Sequence, residues 1–496
     1  MMRRLLPADS LGQASFRLCA LLLILAGMAG CAGQKSQPAS PEAEGQQSTG
    51  AAATAVTRPL TIVVVDDAGF ASIAASEWAA KSDVGLNVKE LSASEFAQAI
   101  AADAKLDGDV VVYPARFLGE LAESKLISAV PKRVLGNESL VFSDILPLLR
   151  RQVISWGGET YALPVASRQV VAIVNESALN GESGDGASDD FAAWQTWQSF
   201  DEQMAAVESG ETGDISPIAL PLGPGWAASS FLVRSAAYAR DSGQISTLFD
   251  FRTMKPLINT APFVRALEEL AALAKLGDEK QTEWTPTDAL AAVTEGDAAV
   301  SLTWMGESAV KEEVATGLRI VPLPGTPQTF NFSTAAWQDR AEDDRGAIPF
   351  IGFDDRIASI SAASRRQRAA WNLVTQLTTG DMGARVMTAS DVAGPSRGLQ
   401  ERAATKFVSE GLPASVAKQN FEAVSSALRS RVFLSAIRLP GQTEYYAALD
   451  DAVRTVIAGN SSASDALDQV AKEWEAITDR LGREKQLAAF ERSLGI

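Results

Sequence analysis

From residue 60 onward the chain alternates short, nearly unbroken apolar runs with stretches in which apolar residues recur every three to four positions. The first run, Leu60-Thr61-Ile62-Val63-Val64-Val65, ends in Asp66-Asp67. A run this apolar suits a strand buried on both faces of a parallel sheet, where no polar face is needed. Helical spacing follows over residues 71–81, then a short alternating strand, Leu86-Asn87-Val88-Lys89. A second helical stretch covers 94–104, and a third strand is Asp109-Val110-Val111-Val112-Tyr113. Strands alternating with helices predict α/β units. In such sheets ligands sit beyond the carboxyl ends of the strands. Asp66, Asp67 and Tyr113 are therefore expected to point toward a cleft.

Val170-Val171-Ala172-Ile173-Val174 predicts a fourth strand, and residues 180–190, rich in Gly, Ser and Asp, a surface loop. Calcium is a conceivable ligand there, but the spacing of an EF-hand loop is absent. Pro262 opens a helix whose apolar face carries Phe263, Leu267, Leu270 and Leu273. Ala298-Ala299-Val300-Ser301-Leu302-Thr303-Trp304 reads as a strand ending in an aromatic, residues 318–321 as another strand, and 338–346 as a charged loop. The last hundred residues are helical: Leu467, Val470, Trp474, Ile477 and Leu481 share one face.

The N-terminus has a different pattern. Arg3, Arg4 and Arg17 precede an apolar run over 21–30 that ends in Met28-Ala29-Gly30-Cys31. A positive start, a short apolar core and small residues before a cut describe a secretory signal over 1–30. The run is shorter than the ~20 residues a spanning helix needs. A Cys at the cut resembles the lipobox of bacterial lipoproteins, which implies a lipid on Cys31. Residues 31–57 are small and polar, too poor in apolar groups to fold, and form a flexible tether. Its root-mean-square span is roughly 30 Å. The other cysteine, Cys19, lies inside the signal, so the mature chain has no partner for a disulfide.

Composition narrows the chemistry. There is no histidine, which removes Ser-His-Asp, Cys-His and His-zinc arrangements together. Net charge is −17, from 44 basic and 61 acidic residues; such a chain does not attract nucleic acid by charge. The nucleotide-binding glycine motifs are missing. Ser415-Val416-Ala417-Lys418 matches Ser-x-x-Lys, but the partner motifs of penicillin-binding enzymes are absent. No metal or cofactor site is expected.

A series of short motifs in fixed order carries a family resemblance. They include Trp156-Gly157-Gly158-Glu159-Thr160-Tyr161-Ala162-Leu163-Pro164, then Val174-Asn175, then Trp197-Gln198-Ser199-Phe200. Phe249-Asp250, Ile258-Asn259 and Leu267-Glu268 follow, then Glu295-Gly296-Asp297-Ala298-Ala299-Val300 with Trp304. Val321-Pro322-Leu323-Pro324-Gly325, Phe350-Ile351-Gly352, Ala369-Ala370-Trp371, Pro395-Ser396-Arg397 and Trp474-Glu475-Ala476-Ile477-Thr478 complete the order. Over residues 60–496 the chain resembles the family 1 extracellular solute-binding proteins of bacterial ABC importers, which are maltose-binding-protein-like. It departs in carrying a single Gly352 where many members have a Gly pair.

The resemblance implies an α/β, two-lobe fold of the periplasmic-binding-protein type II kind, with a hinge and an interlobe cleft. Lobe one would comprise 58–168 plus 318–396, and lobe two 175–315 plus 398–496. The implied function is capture of a small solute by hinge closure and delivery to an ABC permease. The protein would be an exported monomer, lipid-anchored through Cys31 at the outer face of the cytoplasmic membrane, on the periplasmic side in a Gram-negative cell. A mono- or oligosaccharide leads as ligand, since aromatic rings stack on sugar faces while acids and arginines bond hydroxyls. Trp304 and Trp226 are the stacking candidates; Asp67, Tyr113 and Arg168 are the polar ones. Each also has a structural reading: Trp304 and Trp226 as core, Asp67 as a helix cap, Arg168 in an ion pair. Trp78, Trp371 and Trp474 read as core, and Arg397 as fixing a turn. A polyamine, a sugar phosphate or ferric iron compete as ligands; Tyr445-Tyr446 is the one adjacent tyrosine pair. Other function classes are an envelope carbohydrate hydrolase using paired carboxylates and a ligand-sensing receptor without transport.

Overall fold

The computed structural model describes residues 58–103, 105–180, 194–208, 215–241, 243–306, 312–392, 394–402 and 413–496. The signal, Cys31, the tether and residues 181–193 of the Gly-, Ser- and Asp-rich stretch lie outside the described residues. Strand β1 (Leu60–Val65) is followed by helix α1 (Ala68–Ala79), β2 (Leu86–Leu91), α2 (Ala93–Asp103) and β3 (Val110–Pro114). β1 pairs in parallel with both β2 and β3, so it is interior to the sheet. All but one of its residues are buried, as its unbroken apolar run requires. β2 lies at the sheet edge, and its alternating burial matches its alternating sequence.

A late strand, Arg356–Ser361, inserts antiparallel against β3 and also pairs with Leu163–Ala166 and Ile127–Ser128. The result is a six-stranded mixed sheet. A second sheet has four strands in the order Leu318–Val321, Val170–Asn175, Ala298–Trp304, Ser216–Ala219. The chain thus passes from the first sheet to the second between Ala166 and Val170, and returns after Val321. Two-residue strands Phe350–Ile351 and Leu434–Ser435 pair in parallel between the returning segment and the C-terminal helices.

The apolar periodicities place the helices as expected. Pro262 falls in the first turn of Ala261–Ala274, where a missing N–H costs nothing. Leu467, Val470 and Trp474 are buried along Ala463–Leu481, and the Trp474 indole donates to Tyr445 O at 2.9 Å. Trp78 and Trp371 are likewise core. The segment over 338–346 is not wholly loop: Ala336–Asp339 pairs antiparallel with Gln328–Asn331. Among the described residues, no helix is long and apolar enough to cross a membrane.

Candidate functional site

The carboxyl ends of β1 and β3 and the amino end of Arg356–Ser361 meet at one edge of the large sheet, because the late strand runs antiparallel. This brings together Asp66, Asp67, Arg116 and the turn Phe353-Asp354-Asp355-Arg356. The buried Asp354 carboxylate is the centre of the group. Its Oδ1 accepts from Arg356 Nη1 at 2.9 Å and Arg116 Nη1 at 3.3 Å. Its Oδ2 accepts from Arg168 Nε at 3.1 Å and Nη2 at 2.5 Å. Burial by itself would raise its pKa, but the guanidinium groups of Arg356, Arg168 and Arg116 outweigh burial and hold it well below the usual carboxylate range. Asp355 differs although it is the next residue. Burial pushes it up to about 6, against hydrogen bonds from Ser167 Oγ and Gly352 N.

Asp67 is the N-cap of α1 and is nearly inaccessible. Its Oδ1 accepts from Phe70 N and Asp391 N, each at 3.0 Å, and its Oδ2 from Ser390 Oγ at 2.6 Å. Arg356 Nε lies 3.8 Å from Oδ2. Burial raises its pKa, opposed by Arg356 and these donors. With both oxygens engaged, Asp67 is a structural cap, and the expectation that it faces solute is corrected. Asp66 is the accessible one of the pair. It takes a left-handed backbone (φ 48°) and its Oδ1 accepts from Ala93 N at 2.9 Å.

Tyr113 is also corrected. It is wholly buried, stacks on Phe96 with centroids 6.3 Å apart, and its hydroxyl meets Ser359 Oγ at 2.8 Å. β3 continues through Pro114, so the residue that reaches the cleft is Arg116, three positions later. Sequence reasoning missed Arg116. The available signal was a basic residue within three positions of the end of an apolar strand.

Across from this polar group stand aromatics of the second sheet and its helices. Trp304 ends its strand as expected, but it is only 3 % exposed. Trp226 is the N-cap of helix Ala227–Ala239 and is partly exposed. Its loop is pinned by Asp450, whose oxygens accept from Gly225 N at 2.9 Å and Ala228 N at 3.0 Å. Gly225 has φ 85°, a conformation that favours glycine. The Trp226 and Trp304 centroids are 5.2 Å apart, and both rings touch Phe353 at 5.9 and 6.4 Å. The Arg168 guanidinium sits 5.8 Å from the Trp226 ring, linking the polar and aromatic groups. Arg168 is thus in an ion pair and in the cleft at once.

A cavity of ≈ 460 Å³ opens beside the group, lined by Asp66, Asp67, Glu90, Ser92, Glu95 and Asp391. Its carboxylates already accept backbone donors: Asp391 from Ala68 N at 2.9 Å and Gly69 N at 3.3 Å, Glu95 from Ser92 N at 2.8 Å. Among the described residues, no group of three or more His, Cys, Asp or Glu is arranged to hold a metal. Tyr445 and Tyr446 are buried, with hydroxyls engaged by Thr478 Oγ1 at 2.8 Å and Ile437 N at 3.0 Å. Arg397 does fix a turn: its guanidinium donates to Thr378 O and Leu140 O, each at 2.8 Å.

The arrangement can donate hydrogen bonds from arginines, accept them at carboxylates and offer an aromatic face. No curated protein matches the chain. Solved structures do match. A solute-binding protein of an ABC transporter from Agrobacterium radiobacter K84, in complex with ribitol, superposes with a TM-score of 0.64 at 16% identity, covering 85% of this chain and 98% of that one. Maltose-bound MalE3 of T. maritima gives 0.62 at 16% identity, covering 85% and 100%. A solute-binding protein from Agrobacterium vitis S4 with bound D-mannitol gives 0.64 at 15%, covering 86% and 99%. These likenesses show the fold, that of the two-lobed binding proteins. The model of the bacterial extracellular solute-binding protein family matches residues 73–410. With that match over most of the chain, the protein belongs to the bacterial extracellular solute-binding proteins, the capture component of ABC transporters.

Proposed function

We propose that this chain captures an uncharged polyhydroxylated solute, a carbohydrate or a polyol, and passes it to an ABC permease. The observation that carries this reading is the aromatic face beside paired donors and acceptors: Arg168 holds the Asp354 carboxylate and at the same time lies 5.8 Å from the partly exposed Trp226 ring. Alternating donors and acceptors beside the partly exposed Trp226 suit hydroxyls and an apolar sugar face. The neighbours crystallised with ribitol, maltose and D-mannitol support the same class.

The lobes are taken as 58–168 plus 318–396 and 175–315 plus 398–496, closing about the crossings near 166–170 and 321. Solute drives closure only by touching the closed form more than the open one. A lipid on Cys31 and the tether of 31–57 would keep the body near its permease without restraining the hinge. The chain would act by binding without turnover.

The test is a thermal-shift and calorimetry screen of the mature chain against ribitol, D-mannitol, glucose, maltose, spermidine and glucose 6-phosphate. A ligand at 100 times its Kd stabilises by about 2.7 kcal/mol. At least one neutral sugar or polyol is expected to do so. A response to spermidine or the phosphate alone would sink the reading. For the anchor, Cys31→Ala should release the protein from the membrane fraction; an unchanged membrane fraction rejects the lipid.

A further inference from the structure

Phe353 is the residue of the cleft that binding of solute leaves unexplained. It stands next to Gly352, in the turn that leads into Arg356–Ser361 of the large sheet, yet its ring lies among aromatics of the other half. Its centroid is 5.9 Å from Trp226, 6.4 Å from Trp304 and 5.1 Å from Tyr446. The Arg116 guanidinium covers it at 4.8 Å, and its own carbonyl accepts from Arg116 Nη1 at 3.2 Å. The side chain is 5 % exposed. A ring from the turn before Arg356–Ser361 is therefore clamped among Trp226, Trp304 and Tyr446, with Phe350 of its own segment 5.9 Å away and Arg116 over it.

The spacing limits what can enter. A sugar ring sandwiched between two aromatic faces needs a van der Waals gap on each side, about 7–8 Å between the planes. The three centroid separations among Trp226, Trp304 and Phe353 run from 5.2 to 6.4 Å. No sugar ring fits between any two of them. Trp304 is almost fully covered, so the Trp226 ring is what remains to stack on. One open aromatic face accommodates one sugar ring or one short polyol, whereas an oligosaccharide needs successive faces along its length.

We propose that Phe353 is a specificity-determining residue: by covering Trp304 it restricts the solute to a single ring or a short polyol. The inference rests on the sugar or polyol reading above. Trimming the ring should uncover Trp304 and open a second stacking position.

The experiment compares the wild-type mature chain with Phe353→Ala and Phe353→Leu. Affinities are measured for ribitol, glucose, maltose and maltotriose, and tryptophan fluorescence is quenched with acrylamide without ligand. Wild type should bind ribitol or glucose in preference to maltotriose. Phe353→Ala should shift that preference toward maltotriose by about ten-fold or more and raise quenching. Phe353→Leu keeps an apolar contact for folding and should shift both readouts the same way, less far. An unchanged size ranking in both variants overturns the inference and leaves the sugar reading intact. So does a wild type that prefers maltotriose, or unchanged quenching. A wild type that binds none of the four, nor D-mannitol, overturns the sugar reading and the inference with it.

Discussion

The two sides of the cleft are built from different materials. The large-sheet side is a buried ionic group in which one carboxylate, Asp354, takes hydrogen bonds from three arginines carried by three separate chain segments. The other side is a set of rings, Trp226, Trp304 and Tyr446, held by packing and by the Asp450 pin on the Trp226 loop. Each member of the ionic side depends on the others, because removing one leaves a buried charge without a partner. Members of the aromatic side fail more independently, since apolar contact is non-directional. The comparison teaches where stability and recognition reside. On the reading proposed above, the polar side ties distant chain segments together and the aromatic side sets what shape is admitted.

The largest expected effect comes from Asp354→Ala. It strands Arg116, Arg168 and Arg356 without their shared acceptor, and should cost about 3–5 kcal/mol of unfolding free energy in urea titrations; a loss within error would refute the central role of Asp354. Trp304→Ala should cost a similar ~3–5 kcal/mol, since that ring is core. Little destabilisation with a large loss of affinity would return Trp304 to the role of an open stacking platform.

The pH dependence, read as the difference between wild type and a variant, tests one member of the ionic side. Asp355 is pushed up to about 6 from an ordinary 3.8, so the folded chain holds this proton more tightly than the unfolded chain. Its contribution to stability therefore falls as pH rises from about 4 to 6, and above that the full penalty is about 3 kcal/mol. Unfolding free energy measured at pH 5, 6 and 7 should decline along that series. Asp355→Asn should make it shallower, with Glu120, which burial pushes up to about 7, still contributing; an identical slope in the variant assigns the effect elsewhere.

The smallest stability effect belongs to Trp226→Ala. Its ring is partly exposed, so the loss should be about 1 kcal/mol, while affinity for the best sugar or polyol falls about ten-fold or more. The opposite pattern, lost stability with affinity retained, would erase the distinction between the two sides.

Much of the scaffold was legible because the signals are local. The apolar run of 60–65 and the strand of 298–304 fall where periodicity put them. Pro262 in the first turn and the buried face at Leu467, Val470 and Trp474 are also read from short windows. The two-residue strands such as Ile127–Ser128 and Leu434–Ser435 were not legible, since two residues carry no period. Nor was the Asp354 group: its arginines lie 238, 186 and 2 positions away in sequence.

By itself the sequence determined the element types, the α/β alternation, the family and the absence of histidine chemistry, because each is written in composition, periodicity or ordered motifs. It also singled out tryptophans and acids at strand ends and turns. Only the tertiary structure decided which of them face the cleft. It buried Asp67 as a helix cap, sank Tyr113 and Trp304 into the core, and brought Arg116, Asp354 and Phe353 to the centre. The physical reason is that exposure and ion pairing depend on which distant strand ends meet, and that follows from the antiparallel insertion of Arg356–Ser361.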